Sequence, residues 1–382
     1  MGRGIFIKQN NQWCSVKNIW TKHNGVWCPV KKVYTKVNGQ WCLCFPPEVG
    51  YDVILAWNPS SLLTNCASVG QDIWGVGITP STRIYKNGIL ENGTWFSLSV
   101  NGGWTIVFDA LPDGRLLAVN DRYIYRETSR ESNEFSIVAE LGEITDPTYI
   151  SVSPDKQKIA LITGWRQWLL IFPVNILDEG SPPLLIDENG NTHPDVIKYD
   201  IDACYSVVWR DNQHIFVNCG LWGGPPYEST ISVIDIINNK GHQVISNIPG
   251  ASSGICFDRR GNFFCGIGYT DQDNSLIGVI HYFTNNQILN AMNNGVPLDF
   301  SEGHYLCTSL SAGHMLITPN NELVVGGGDY VNLNPDKLGY IEIFKLAYDT
   351  GGNISIINNQ RLTLDPCQDD AAEGPLCLRR EV

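Results

Sequence analysis

Five times between residues 104 and 325 the chain repeats one form: a short apolar segment, a polar turn, and a second apolar segment. The pairs are 104–109 with 115–119 around Pro112-Asp113-Gly114, 149–153 with 158–163 around Pro154-Asp155, 205–209 with 214–218, 254–258 with 262–266, and 314–318 with 322–325. A degenerate sixth copy reads at 63–70 and 72–78. Further β-prone runs follow the pairs, for example 122–126 and 135–140, or 229–235 and 243–248. With 37 Gly, 12 Trp and 15 Tyr and no long Leu, Ala, Glu or Lys runs, the composition favours strands and turns over helices.

Four short strands recurring every 40 to 60 residues predict the blades of a β-propeller. Turns near 71, 113, 155, 211, 260 and 320 give six blades. The number becomes seven if 51–57, an extra strand-like run placed to close the ring against the last blade, anchors a unit of its own. Longer spacings mark inserted loops at about 173–200 and 283–304. The expected fold class is all-β, with the propeller over 48–366 and a C-terminal tail over 367–382.

The first 47 residues follow a different rule. Ile5-Phe6-Ile7-Lys8, Ile19-Trp20-Thr21-Lys22 and Val33-Tyr34-Thr35-Lys36 align with a period of 14, as do Trp13-Cys14, Trp27-Cys28 and Trp41-Cys42. Between the halves lie Asn10-Asn11, Asn24-Gly25 and Asn38-Gly39; Asn-Gly tolerates the positive φ of a type I′ turn and predicts a two-residue hairpin loop. That register opposes Lys8 to Trp13, Lys22 to Trp27 and Lys36 to Trp41, so each Lys stem covers an indole. A lone hairpin is barely stable, so three copies imply mutual packing in one module, residues 1–47. Packing with the Ile/Val faces inward would bring Cys14, Cys28, Cys42 and Cys44 together, as a metal site, as disulfides or as repeated apolar filler. The spacing is no CxxC knuckle, so filler is the plainer account, and no metal or cofactor is assigned.

Charge divides at the same place. Residues 1–47 carry seven Lys or Arg and no Asp or Glu, giving +7, while the other 19 basic and 39 acidic residues give −20. Such asymmetry suggests separate partners for the two parts. No Arg cluster accompanies the basic module, which argues against nucleic acid. No apolar run is long enough to cross a bilayer, and the start reaches Lys8 too early for a signal-peptide core. The chain is therefore expected to be made in a cytoplasm. There its twelve cysteines, including Cys204, Cys219, Cys256, Cys265 and Cys307, read as small buried hydrophobes.

The short array of aromatic, Lys, Asn-Gly, Trp and Val resembles hairpin repeats in tail and minor structural proteins of bacteriophages, over residues 5–45. It departs from them where Cys14, Cys28 and Cys42 follow Trp, a place those repeats fill with a polar or basic residue. The propeller units are similar to six-bladed propellers of the NHL and SMP-30 kind. The resemblance implies a virion protein of the tail or baseplate, assembled in the host cytoplasm. The 1–47 module, with Trp13, Trp27 and Trp41, would bind other virion proteins, and the propeller would meet a host-surface glycan or protein. Two other readings are an enzyme acting on host-surface polysaccharide and a purely structural scaffold.

Catalytic patterns are missing. HExxH, GxSxG and the P-loop do not occur, and neither does the sialidase Ser-x-Asp-x-Gly-x-Thr-Trp box. The inner-strand ends offer Asp109, Ser153, Arg210, Asp258 and Thr318, which make no consistent oxygen cage; Asp109 and Asp258 read as turn caps. No enzyme and no catalytic residue is expected. Candidate binding residues are aromatics in strand-breaking loops: Trp165 and Trp168, Trp222 and Tyr227, and Tyr330. Each could instead fill a gap between blades.

Overall fold

A computed structural model describes strand backbones within residues 6–45, 51–56, 78–99 and 376–380. It also describes residues 106–368 apart from 121, 133, 143–146, 164–166, 188, 202, 221–227, 251–253, 269, 271–272, 310–311, 328–337 and 350–351. Three separate two-stranded hairpins open the chain: Phe6–Gln9 with Gln12–Ser15, Trp20–His23 with Val26–Pro29, and Val33–Val37 with Gln40–Phe45. Lys8 lies opposite Trp13, Lys22 opposite Trp27 and Lys36 opposite Trp41. The side chains of Cys14, Cys28, Cys42 and Cys44 lie outside the described residues.

Beyond the hairpins, the described strands form six antiparallel sheets of four strands each, one of them extended by a short parallel fifth. The second to sixth sheets are laid down in chain order. Their first strands are Ile106–Ala110, Tyr149–Val152, Cys204–Trp209, Ile255–Phe257 and His314–Ile317. The first sheet is composite: Tyr51–Ala56, Ile78–Lys86 and Ile89–Ser99 are preceded in space by Leu376–Arg380, from the far end of the sequence. Each first strand touches the first strand of the next sheet, and His314–Ile317 touches Leu376–Arg380, which touches Ile106–Ala110. The described sheets therefore follow one another around a ring.

Closure differs from the expectation in two ways. Residues 376–380 form a ring strand, although the sequence placed them in a tail, and the partner of Tyr51–Ala56 is that strand, not the last sheet. Pairing between residues more than 300 apart gives back the backbone hydrogen bonds an open ring would leave at its seam. The units expected at 63–70 and 72–78 lie almost wholly outside the described residues.

The third, fourth and fifth sheets are covered on both faces, which explains their nearly continuous apolar strands. In Lys158–Thr163, Ile159 and Leu161 join the core shared with the second sheet, while Ala160 and Ile162 join the core shared with the fourth. That is the two-residue alternation of a strand serving two interfaces. Phe216, Ile231 and Val233 meet Ile255, Phe263 and Cys265 between the fourth and fifth sheets. Phe264, Met315 and Leu323 fill the next interface. Turns between first and second strands use local chemistry: Gly114 sits at φ +80°, which costs a glycine little, and Asp113 accepts from the Arg115 backbone N–H at 3.0 Å.

The two expected insertions carry structure of their own. Residues 174–178 form a 3-10 turn whose Ile176 and Leu177, with Leu185 and Ile186, seal the core between the second and third sheets. Asn285–Asn294 is an α-helix begun by a Thr284/Gln287 capping box and ended by Gly295 at φ +64°. Its Ile288 and Ala291 cover the core between the fourth and fifth sheets.

Candidate functional site

A ring of sheets has two open ends, and the residues at each end of the first strands decide what it offers. At the turn end, the polar side chains are used in tying neighbouring sheets together. Asp109 accepts from the backbone N–H of Val152 in the third sheet and of Ala110, both at 2.7 Å. Burial pushes its carboxyl up, against the charge of Lys156 and those two hydrogen bonds. Asn212 accepts from the Asp155 N–H at 2.9 Å, and Arg210 donates to Asn285 Oδ1 at 2.7 Å. Asp258 accepts from the N–H groups of Arg260 and Asn262, from Asn262 Nδ2, and from the Tyr348 hydroxyl of the sixth sheet at 3.0 Å. Asp109 and Asp258 are thus turn and seam residues, and no three His, Cys, Asp or Glu side chains among the described residues converge as metal ligands.

The opposite end, where the first strands begin, is less regular. Tyr149 and His314 start the first strands of the third and sixth sheets, and their rings stack with centroids 5.9 Å apart and planes 20° apart. In the fourth sheet Cys204 and Cys219, directly paired across strands, form a disulfide. This corrects the reading of those two cysteines as filler: register partners on adjacent strands hold their Cβ atoms close enough to bridge. Cys256, Cys265 and Cys307 are free thiols, and burial pushes Cys265 and Cys307 up to about 12, Cys307 with help from Glu342. The thiolate is the reactive form, so burial works against reactivity at Cys265 and Cys307.

Next to the disulfide, Ala203 adopts φ +44° and the pairing slips between Cys204 and Ser206. Thr148 Oγ1 donates to the Cys204 carbonyl at 3.5 Å, joining the third sheet to the fourth. Tyr205 is buried, and Ser206, Asn218 and Ser229 behind it are wholly so.

Of the binding residues proposed from sequence, Trp168 begins the strand Trp168–Pro173, opposite Thr163 and Asp200. Its ring packs on the core between the second and third sheets, with Lys198 Nζ 4.7 Å from its centroid. That is a gap-filling indole capped by a cation. Trp165, Trp222, Tyr227 and Tyr330 lie outside the described residues, and of Trp13, Trp27 and Trp41 only the backbone is described. Sequence reasoning passed over Tyr149, Ser206 and Asn218, and set His314 aside because the histidines share no common spacing. The available signal was a polar or aromatic residue where an inner strand is otherwise aliphatic.

The sequence matches no protein-family model and no curated protein. Its fold is similar to solved structures at low identity. One is the nidogen/laminin complex, with TM-score 0.52 and 9% identity, covering 86% of this chain and 98% of that one. Another is TolB from Acinetobacter baumannii, with TM-score 0.51 and 12% identity, covering 86% of this chain and 66% of that one. A third is the periplasmic gluconolactonase of Pseudomonas aeruginosa, with TM-score 0.46 and 11% identity, covering 89% of this chain and 93% of that one. The expectation that no enzyme is to be found here does not stand: it rested on missing sequence motifs alone, and one propeller architecture hosts many unrelated functions. At such identities the likeness carries the architecture and nothing of activity. By architecture the chain is a β-propeller.

Proposed function

We propose that this chain is a structural component of a bacteriophage virion, carried in the tail or baseplate. Its 1–47 module attaches it to neighbouring virion proteins, and a six-bladed propeller presents a surface to the host. The observation that carries this reading is the layout. Three 14-residue repeats, each setting a Lys opposite a Trp across a hairpin, stand before a ring that closes on its own last strand. A ring that closes on itself needs nothing from the repeats to complete its core, which frees them for attachment. The charge split of +7 against −20 supports two different contacts. A released particle meets oxidising surroundings, in which a bond such as Cys204–Cys219 persists.

Particles made with residues 50–382 deleted from this chain test the division of labour. Intact particles that no longer adsorb to the host are the expected result. Particles that fail to assemble would assign the propeller to scaffolding, and intact particles that adsorb normally would remove it from host contact.

A further inference from the structure

Four departures from ordinary strand structure coincide where the fourth sheet's first strand begins. Ala203 is held at φ +44°, the ladder slips between Cys204 and Ser206, and a disulfide joins Cys204 to Cys219. The fourth concerns Gly220: a Cβ there would stand 2.7 Å from the Tyr205 ring and 3.3 Å from the Ser229 Cβ, so the ring lies directly over the glycine. Bulges and strained residues gather at functional places in proteins, and this cluster invites the question of what it shapes.

What it shapes is a polar face inside the protein. Ser206 pairs with Asn218, Asn218 with Ile231, and Gly220 with Ser229. Phe216 and Ile231 pack in the core shared with the fifth sheet, and Val208 packs against it. The strand period of two therefore sets Ser206, Asn218 and Ser229 on that same face. All three are 0% exposed, yet Ser206 Oγ, Asn218 Oδ1, Asn218 Nδ2 and Ser229 Oγ have no hydrogen-bond partner among the described residues. Buried polar atoms without partners are rare, and each carries the full cost of leaving water. Four such atoms on three neighbouring side chains are one site, not scattered exceptions.

The chemistry of the site limits its occupant. Two hydroxyls, one amide carbonyl and one amide NH₂ offer both donors and acceptors, and none is charged. An ionic ligand would find no counter-charge on these side chains, and an apolar one would leave all four atoms unpaired. We propose that Ser206, Asn218 and Ser229 form an internal binding site for a neutral hydroxyl group. Its occupant is either ordered water or a hydroxyl of a small polyol or sugar, beside the Tyr205 ring. This site rests on the propeller alone and is independent of the virion reading.

A high-resolution crystal structure of the full chain, with and without a glucose or glycerol soak, tests it. A solvent peak hydrogen-bonded to at least two of the four atoms supports the site with water as its occupant. Its replacement by a soaked hydroxyl supports the polyol source. A face empty of density overturns the proposal. Where crystals diffract too weakly, the Ser206→Ala/Ser229→Ala double variant decides by thermal unfolding. A filled site predicts a Tm lower by about 2 °C or more, scaled for a chain of this size. An unchanged or higher Tm means the hydroxyls were unpaired burdens and overturns it.

Discussion

Replacing Tyr348 with Phe removes one hydroxyl from the seam between the fifth and sixth sheets, and its effect can be worked out in advance. That hydroxyl donates to Asp258 Oδ2 at 3.0 Å. Asp258 is 7% exposed and also takes the Arg260 and Asn262 N–H groups at 2.8 and 2.9 Å and Asn262 Nδ2 at 2.7 Å. A hydrogen bond to a charged group contributes about 1.5–3 kcal/mol, and since Tyr348 is only half-buried the low end, about 1.5 kcal/mol, applies. Asp258→Asn keeps an acceptor for the two backbone N–H groups but turns an amide donor toward Asn262 Nδ2. Asn262 is 6% exposed, so stranding that donor adds about 1–3 kcal/mol, for a total of about 2.5–4.5 kcal/mol. In the double variant the Tyr348 bond is lost only once, giving a coupling of about 1.5 kcal/mol. Urea unfolding of the four proteins measures this. Tyr348→Phe indistinguishable from the parent, or strictly additive effects, would refute the account of the seam. Burial first, then the Asp258 carboxylate, holds the Tyr348 hydroxyl above the ordinary value of 10. Its contribution is therefore fully present below pH 10 and lost only as the pH rises well beyond.

Three further outcomes are expected. Gly254→Ala would place a Cβ 2.1 Å from the Ala312 carbonyl oxygen of the next sheet, so it should destabilise by at least the ~1–3 kcal/mol of ordinary overpacking in thermal or urea unfolding. Peptide mapping under non-reducing conditions should recover Cys204 linked to Cys219, and replacing both by Ala should cost about 3 kcal/mol from the lost closure of a 15-residue loop. Asp235 is held down at about 2: burial raises it, but hydrogen bonds from Asn238, Gln213 and Ile237 outweigh that. The stability gap between the parent and Asp235→Asn should thus be full above pH 3.8 and narrow as the pH falls toward about 2, read from unfolding across that window.

Local chemistry made most of the ring legible. Pro112-Asp113-Gly114, Pro154-Asp155 and the turns near 211, 260 and 320 each punctuate two apolar runs, and the structure has a strand pair at every one. The closing strand was hidden for the opposite reason. Leu376–Arg380 pairs with Tyr51–Ala56 across nearly the whole sequence, and nothing in either segment names its partner. The Cys204–Cys219 bond was missed because compartment was argued before register, and register alone sets the two side by side. Ser206, Asn218 and Ser229 read as ordinary polar strand residues; only a sheet covered on both faces makes them buried. The helix 285–294 sits in what read as an inserted loop. Its Asn-rich sequence has weak helix propensity, so the capping box and the anchoring of Ile288 and Ala291 decide it.

The central claim is that this chain rides on a virion through its hairpins, and quantitative mass spectrometry of purified particles tests it most directly. Particles from cells making the full chain should contain it in fixed ratio to the other virion proteins. Particles from cells making the Trp13→Ala/Trp27→Ala/Trp41→Ala variant should lack it while the variant accumulates folded in the lysate. Full chain absent from the particles, or the triple variant incorporated as well as the parent, would contradict the account.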